Sequence, residues 1–282
     1  MIVSLSISQW SGRRLDREVT DEVNREHNAA ADAGRYNKLL LPKEALAGIV
    51  RVVGETRNGF IERTLPWMDG GSRIMAADAF LAHASWIRGQ ERKFTAEVDK
   101  FLAEYPGHVA DAHKRLAGLF KDDDYPTVGQ LRDKFSIETR VMPVPTAADF
   151  RVAMSEAQAT RIREDIERTV REATQQAVTD IYRRIADLCG RMVERLNAYK
   201  PARGKEKAEG VFRDSLVENV RDLIQVLPAL NITGDPALSE MSDRLYELAR
   251  WDASVLREDA EVRRNVATEA QSILDSISDF LA

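Results

Sequence analysis

The feature that most constrains the fold is a stretch of about 44 residues, from Ser155 to Tyr199, that contains no proline and a single glycine. Its apolar residues recur every ~3.8 positions, which is the spacing of one face of an α-helix. They are Ile162, Ile166, Val170, Ala173, Ala177, Ile181, Ile185, Leu188, Met192 and Leu196. Ser155 and Gln158 form the capping-box pattern with which such a helix begins. The sequence therefore predicts a rod ~66 Å long.

A second long segment closes the chain. Apolar positions between Leu238 and Phe280 recur every ~3.5 residues, the heptad value, and Pro236 suits the first turn of a helix. Asp252 and Asp259 fall on this apolar seam, where a carboxylate is costly unless it is solvated or paired. We therefore expect a second long helix, packed antiparallel on the first and connected to it through a helix over about 212–227.

The first half of the chain predicts a different architecture. Residues 3–7 and 135–141 alternate apolar and polar side chains, as half-buried strands do, and we expect these two strands to pair. Between them helices are predicted at about 13–31, 43–63, 73–104, 107–121 and 127–134. Proline and glycine in the Thr64–Gly71 segment and at Tyr105-Pro106-Gly107 predict breaks.

The predicted fold class is mainly α with a small β element. Residues 1–150 form a mainly helical α+β head with a two-stranded β element, and residues 151–282 form a long antiparallel, coiled-coil-like helical hairpin arm. The acidic charge is concentrated in this arm, because residues 237–282 hold ten acidic and five basic residues and so match the whole chain's net charge of −5.

Composition excludes several classes of protein. A net charge of −5 argues against a broadly basic protein that coats a nucleic-acid duplex. A single cysteine, Cys189, excludes an internal disulfide framework and a cysteine-based zinc cluster. No apolar run approaches the ~18 residues of a membrane span, and the first residues lack the pattern of a signal peptide. We expect a cytoplasmic protein that does not contact membranes.

Catalytic motifs are absent from the sequence. The four histidines, His27, His83, His108 and His113, lack the i, i+4 spacing of a zinc helix. The sequence contains no phosphate-binding glycine loop and no nucleophile elbow. We therefore predict no enzymatic activity, no catalytic or metal-binding residue and no cofactor.

Two kinds of surface segment are candidates for binding. The loop around Trp67, Asp69 and Arg73 presents a large ring beside a proline and two glycines, and so resembles an interaction loop; the alternative is that Trp67 folds back into the core. Nucleic-acid contact is predicted for basic segments that carry an aromatic ring or lie in an open loop. These residues are Arg35, Tyr36, Lys38, Lys200, Arg203, Lys205 and Lys207.

Several blocks of sequence resemble a protein family of tailed phages and prophages that is defined only as a domain of unknown function. The blocks are residues 5–11 (LSISQWS), 32–40 (DAGRYNKLL), 64–67 (TLPW) with 69–71 (DGG), 141–145 (VMPVP) with 149–151 (DFR), and 212–219 (FRDSLVEN). Genes of this family often lie near genes for a MoxR-like AAA+ ATPase and a von Willebrand factor A-type protein. The resemblance implies a client, adaptor or accessory subunit of such a pair, in the host cytoplasm during infection, and supplies no catalytic residue.

Three functions stay open at this point. The first is a non-enzymatic phage accessory protein that acts through protein–protein contacts, with itself or with a phage AAA+ ATPase system. The second is a factor that binds or anneals single-stranded nucleic acid. The third is an anti-defence protein that binds a host factor or a nucleotide.

Overall fold

A computed structural model of the chain describes residues 1–68, 71–146, 156–202 and 206–281. Its α-helices are α1 (Arg17–Glu26), α2 (Ala47–Glu62), α3 (Phe80–Leu116), α4 (Val128–Arg132), α5 (Glu156–Ala198), α6 (Ser215–Leu230), α7 (Pro236–Ala249), α8 (Ala253–Glu258) and α9 (Ala260–Ile277). Its strands are β1 (Ile2–Ser8), β2 (Arg13–Leu15), β3 (Asn37–Leu39), β4 (Leu65–Pro66), β5 (Arg73–Ile74) and β6 (Ser136–Met142). The mainly helical class with a small antiparallel sheet is therefore confirmed.

The chain divides into two units whose bounds differ from the predicted ones. One unit, here called the α5 unit, contains residues 1–4, 60–83 and 140–282, and the other, the ribbon unit, contains residues 5–59 and 84–139. The prediction of a head over 1–150 is wrong for the segments 1–4 and 60–83. Their apolar side chains Ile2, Leu65, Trp67 and Ile74 belong to the same buried core as α5, so burial assigns them to that unit.

A four-stranded sheet has the strand order β4-β5-β1-β6. The predicted pairing of the first strand with the strand near residue 140 is confirmed, because β1 and β6 are neighbours. Strand β5 pairs antiparallel with both β1 and β4, so that Ile74 lies opposite Ile2 on one side and Leu65 on the other. The sequence did not predict β4 and β5, which are two residues long and carry no alternation to detect.

Helix α5 forms the long helix that the sequence predicts, with 43 residues. From Ala173 to Leu196 its apolar face is buried in the core of the α5 unit, where each fully buried aliphatic side chain contributes about 1.5–3 kcal/mol. Helix α9 packs on it in the opposite direction. The Tyr182 ring stacks on Phe280, with ring centroids 4.2 Å apart, and Tyr199 lies under the guanidinium of Arg263.

The second long helix of the predicted hairpin does not exist as one helix. The chain is divided there into α7, α8 and α9, and the two aspartates on the predicted seam mark the breaks. Asp252 and Asp259 are the N-cap residues of α8 and α9. The Asp259 carboxylate accepts hydrogen bonds from the N–H groups of Glu261 and Val262 at 2.8 and 3.0 Å. Both aspartates adopt the extended dihedrals of N-cap residues, so the helix is interrupted at each of them, and at Asp259 the carboxylate also caps the next helix.

Arginine side chains complete each of these breaks. Arg221 donates from Nε to the carbonyl of Ala249, the last residue of α7, at 3.0 Å. Arg263 donates to the carbonyl of Leu256 at 3.0 Å, near the end of α8. The last carbonyls of a helix have no partner inside it, so these two arginines replace the hydrogen bonds that the helix ends lack.

In the ribbon unit, α3 continues through Pro106, so the break predicted at Tyr105-Pro106-Gly107 is wrong. A proline inside a helix costs ~3 kcal/mol. Aromatic packing on the same turns offsets this cost. Trp10 lies 6.3 Å from Phe101 and 6.0 Å from Tyr105, measured between ring centroids, and Tyr105 donates its hydroxyl to the carbonyl of Pro126.

The helix predicted over 13–31 is also shorter than expected. Its first residues form β2, and α1 begins after Asp16, whose carboxylate accepts from the N–H of Val19 at 3.3 Å. None of the helices in the described ranges combines the length and apolar character needed to cross a membrane.

The cap at α9 gives a prediction. Replacement of Asp259 by alanine removes two charge-assisted hydrogen bonds at the helix N-terminus, and we expect it to lower the free energy of unfolding by about 1 kcal/mol. The control is Glu258→Ala, one residue earlier and equally exposed. Urea denaturation followed by circular dichroism measures both variants, and equal stabilities would contradict the assigned cap.

Candidate functional site

The ribbon unit carries a small antiparallel ribbon of strands β2 and β3. Arg13 lies opposite Leu39, Arg14 opposite Lys38, and Leu15 opposite Asn37. Side chains alternate between the two faces of a strand. Lys38 points into the protein, where it is 2% exposed, while Arg13, Leu15, Asn37 and Leu39 lie on the opposite face and are all exposed. We call these four residues the ribbon face.

Lys38 holds the ribbon on its buried face, opposite the ribbon face. Its Nζ lies 3.1 Å from Asp16 Oδ2 and 2.6 Å from Asp124 Oδ2, and it donates to the carbonyl of Leu119 at 2.6 Å. The ammonium nitrogen therefore has three oxygens within 3.1 Å. An unpaired buried charge costs several kcal/mol, so this arrangement fixes β3 firmly against the turn at Asp122–Asp124.

The charges of this cluster stabilise each other. Burial by itself would raise the pKa of Asp16, but the hydrogen bonds from Lys38 and from the N–H of Val19, with the Lys38 charge, lower it below its ordinary value. Burial by itself would lower the pKa of Lys38, but its bonds to Asp124 and Asp16 raise it. Both shifts favour the charged forms of Asp16 and Lys38.

Two further hydrogen bonds hold the second strand. Arg115, near the end of α3, donates from Nη2 to the carbonyl of Leu39 at 2.6 Å. Tyr125 donates its hydroxyl to the carbonyl of Leu40 at 3.0 Å. Both bonds hold the β3 side of the ribbon, so the position of this strand does not depend on a partner.

The ribbon face exposes apolar side chains beside an arginine. Leu15 is 40% exposed and Leu39 is 36% exposed, and they lie diagonally across the two strands. Tyr36, which precedes β3, is 38% exposed. A single exposed leucine is ordinary, but two on one short, rigid ribbon next to Arg13 resemble the apolar and arginine-rich composition of protein interfaces.

The predicted nucleic-acid residues are divided between the two units, with Arg35, Tyr36 and Lys38 in the ribbon unit and the lysines after residue 199 in the α5 unit. Arg35 and Tyr36 are exposed, but Lys38 is buried and contacts Asp16, Asp124 and the Leu119 carbonyl, so the prediction that it contacts phosphate is wrong. Lys200 is paired with Glu209 through a backbone bridge and through an Nζ–Oε2 contact of 2.9 Å. Lys207 is exposed, and Arg203 and Lys205 lie outside the described residues.

Trp67 is not on the surface. It is 2% exposed and belongs to the core of the α5 unit together with Leu65 and Ile74, so its assignment as an exposed interaction residue is wrong, and the alternative, a core tryptophan, is what the structure shows. Its backbone N–H donates to the carbonyl of Ser72 at 3.1 Å. Asp69 lies outside the described residues.

Arg73 has a structural role in the same turn. Its guanidinium donates to the carbonyls of Thr64 and Ile61 and to Thr64 Oγ1. Arg184 of α5 bonds the carbonyls of Ile61, Glu62 and Thr64 from another side. Burial and the neighbouring Arg184 charge lower the pKa of Arg73. Both arginines thus bind the carbonyls where α2 ends, rather than a partner.

The described residues of the α5 unit line several grooves, and one of them shows their chemical character. A groove of about 520 Å³ is lined by side chains of both signs, among them Arg191, Asp187 and Asp222, without histidine, serine or cysteine. Within the described ranges no three histidine, cysteine or acidic side chains converge as metal ligands. Burial raises the pKa of the Cys189 thiol to about 12, so this thiol is not nucleophilic at neutral pH.

Comparison of the chain with known protein families, with curated proteins and with solved structures finds no match. The candidate site therefore rests on the geometry of the ribbon alone.

Sequence reasoning missed the ribbon face, because residues 13–15 were assigned to a helix. The available signal was Asp16, whose side chain is a favoured helix N-cap and places the start of the helix after residue 16. The partners of Lys38 could not be read from the sequence, since Asp124 lies 86 positions away.

The buried cluster gives a stability prediction. Lys38→Met leaves the buried Asp16 carboxylate without its ion-pair partner and leaves Asp124 with only the more distant Arg14, whose Nε lies 3.6 Å from Asp124 Oδ1. We expect a loss of about 3–5 kcal/mol in the free energy of unfolding. Arg35→Met removes an exposed cation three residues earlier and is the control. Chemical denaturation compares the two, and a loss below about 1 kcal/mol for Lys38→Met would refute the buried cluster.

The same cluster predicts a dependence on pH. The pKa of Asp16 is lower in the folded than in the unfolded protein, so its stabilising contribution is present above the ordinary value of 3.8 and is lost as pH falls through the folded value. The difference in unfolding free energy between the wild type and Asp16→Asn should be constant from about pH 5 to 8 and shrink below about pH 3.8. A difference that grows towards acid would show that the assigned sign is wrong.

Proposed function

We propose that this protein is a non-enzymatic docking protein that binds a protein partner at the ribbon face. The observation that carries the proposal is the exposure of Leu15 and Leu39 on a ribbon whose opposite side is fixed by a buried lysine with three oxygen partners. A surface that is rigid before binding loses little conformational entropy when a partner arrives.

Charge favours a protein over a nucleic acid as the partner. The ribbon unit contains eighteen basic and eighteen acidic residues, so it has no net charge to attract a phosphate backbone. Of the predicted phosphate contacts in this unit, Lys38 is neutralised by Asp16 and Asp124. Exposed leucines add affinity for an apolar protein surface and little for a phosphate.

The resemblance to a phage and prophage family suggests where the partner is found. A role as accessory, adaptor or client of a phage AAA+ ATPase and von Willebrand factor A-type pair is compatible with a docking surface and with the predicted cytoplasmic location. This assignment rests on the resemblance alone and stays a prediction.

Site-specific photo-crosslinking in the natural host tests the proposal. A photoreactive amino acid replaces Leu39 on the ribbon face, and in a matched control it replaces Val50 of α2, which is 54% exposed in the same unit. We expect a discrete protein adduct from position 39 and none from position 50.

The other outcomes decide against the proposal. A nuclease-sensitive adduct from position 39 would replace the protein partner by a nucleic acid. The absence of any adduct, or the same adducts from positions 39 and 50, would refute docking at the ribbon face.

A further inference from the structure

The hydrogen-bond register of the ribbon shows which backbone groups point outward. The N–H of Leu40 donates to the carbonyl of Gly12, and the N–H of Asp16 donates to the carbonyl of Tyr36. In an antiparallel pair, hydrogen-bonded and non-hydrogen-bonded positions alternate. The pairs 12–40, 14–38 and 16–36 are therefore the bonded ones, and the backbone groups of residues 13, 15, 37 and 39 point away from the partner strand.

One edge of the ribbon is covered. The outward carbonyl of Leu39 in β3 accepts the hydrogen bond from Arg115 at 2.6 Å. This bond confirms the register, since the Leu39 carbonyl has to point away from β2 in order to reach Arg115. The Arg115 side chain thereby blocks the β3 edge for another strand.

The other edge is open. The outward N–H and C=O groups of Arg13 and Leu15 make no hydrogen bond to any residue in the described ranges, and all three residues of β2 are exposed. Two residues along a strand span ~6.8 Å, so these four groups form one regular template. Unpaired strand edges of this kind bind extended peptides by adding a strand.

We infer that an extended segment of the partner adds to β2 as an antiparallel strand, and that this segment carries an apolar residue followed two positions later by an acidic one. The inference rests on the proposed function and names its partner chemistry. The partner residue opposite Leu15 and the residue opposite Arg13 each exchange two hydrogen bonds with β2.

The side chains of β2 determine this pattern. Directly opposed residues in an antiparallel pair project on the same face, with their Cβ atoms ~4.5–5.5 Å apart. An apolar side chain opposite Leu15 packs against Leu15 and extends the apolar part of the ribbon face. Two residues later the partner lies opposite Arg13, which is exposed and makes no ion pair with a described residue, so a carboxylate there completes a cross-strand pair.

A synthetic peptide with the sequence threonine-threonine-valine-threonine-glutamate-threonine-threonine, blocked at both ends, tests the inference on the full chain. Amide NMR titration should give a Kd on the order of 1 mM or tighter. The amide protons of Arg13 and Leu15 should move downfield and exchange more slowly. The amide of Arg14, which already bonds within the ribbon, should change little.

Two N-methylated peptides form a matched pair. Methylation of the valine nitrogen removes a donor that faces β2, and we expect at least a tenfold loss of affinity. Methylation of the central threonine nitrogen removes a donor that faces solvent, and we expect affinity to change less than about twofold. Equal losses for the two peptides would overturn strand addition.

A charge exchange tests the acidic position. Arg13→Glu should weaken binding of the glutamate peptide and restore binding of a peptide with lysine at that position. Because Arg13 is exposed, this variant is expected to fold, and its circular dichroism spectrum checks this. Tight binding of the glutamate peptide to Arg13→Glu would refute the predicted pairing.

The two proposals fail in distinguishable ways. If position 39 crosslinks a protein but the peptide leaves the Arg13 and Leu15 amides unchanged, the partner binds the ribbon face without adding a strand, so the inference is wrong and the proposed function stands. If the peptide binds as expected but position 39 gives no protein adduct, the edge accepts strands and the proposed function is wrong.

Discussion

Backbone carbonyls at the C-terminal ends of several helices have no partner within the helix, and arginine side chains from other parts of the chain bond to them. In the α5 unit, Arg221 and Arg263 bond the ends of α7 and α8, and Arg184 and Arg73 converge on the end of α2. Each of these arginines is distant in sequence or belongs to another element, so each cap is also a tertiary contact. Because a buried carbonyl without a donor costs free energy, helix ends and packing partners are determined together.

The ribbon unit uses the same principle with a lysine. Lys38 gives one hydrogen bond to the carbonyl of Leu119 and two ionic contacts to Asp16 and Asp124. A buried charge of this kind adds little net stability over an apolar side chain but penalises any other arrangement of the strands. The consequence for function is a ribbon fixed in one geometry, with Leu15, Leu39 and the open edge of β2 turned outward.

Particular elements show how far the sequence could be interpreted. Helix α5 was predictable because its apolar residues repeat over many turns and nothing interrupts them. Asp252 and Asp259 place carboxylates on the apolar positions of a heptad pattern. Periodicity alone does not show that the helix breaks at these residues, because an aspartate occurs both on helix surfaces and as an N-cap. Helix α3 passes through Pro106 on turns where Trp10, from a segment some 90 residues earlier, makes a tilted ring contact with Phe101 and an edge-on contact with Tyr105. The local sequence around Pro106 does not contain these contacts.

By itself, the sequence determined the helical class, the extent of α5 and the two alternating segments that form β1 and β6, because hydrophobic periodicity is a local property that burial enforces. Only the tertiary structure decided that Trp67 and Lys38 are buried, that residues 60–83 share a core with α5, and that β2 presents an open edge. These outcomes depend on which distant groups pack against a buried ring, pair with a buried charge or donate to a buried carbonyl. The spacing of residues along the chain does not identify those groups.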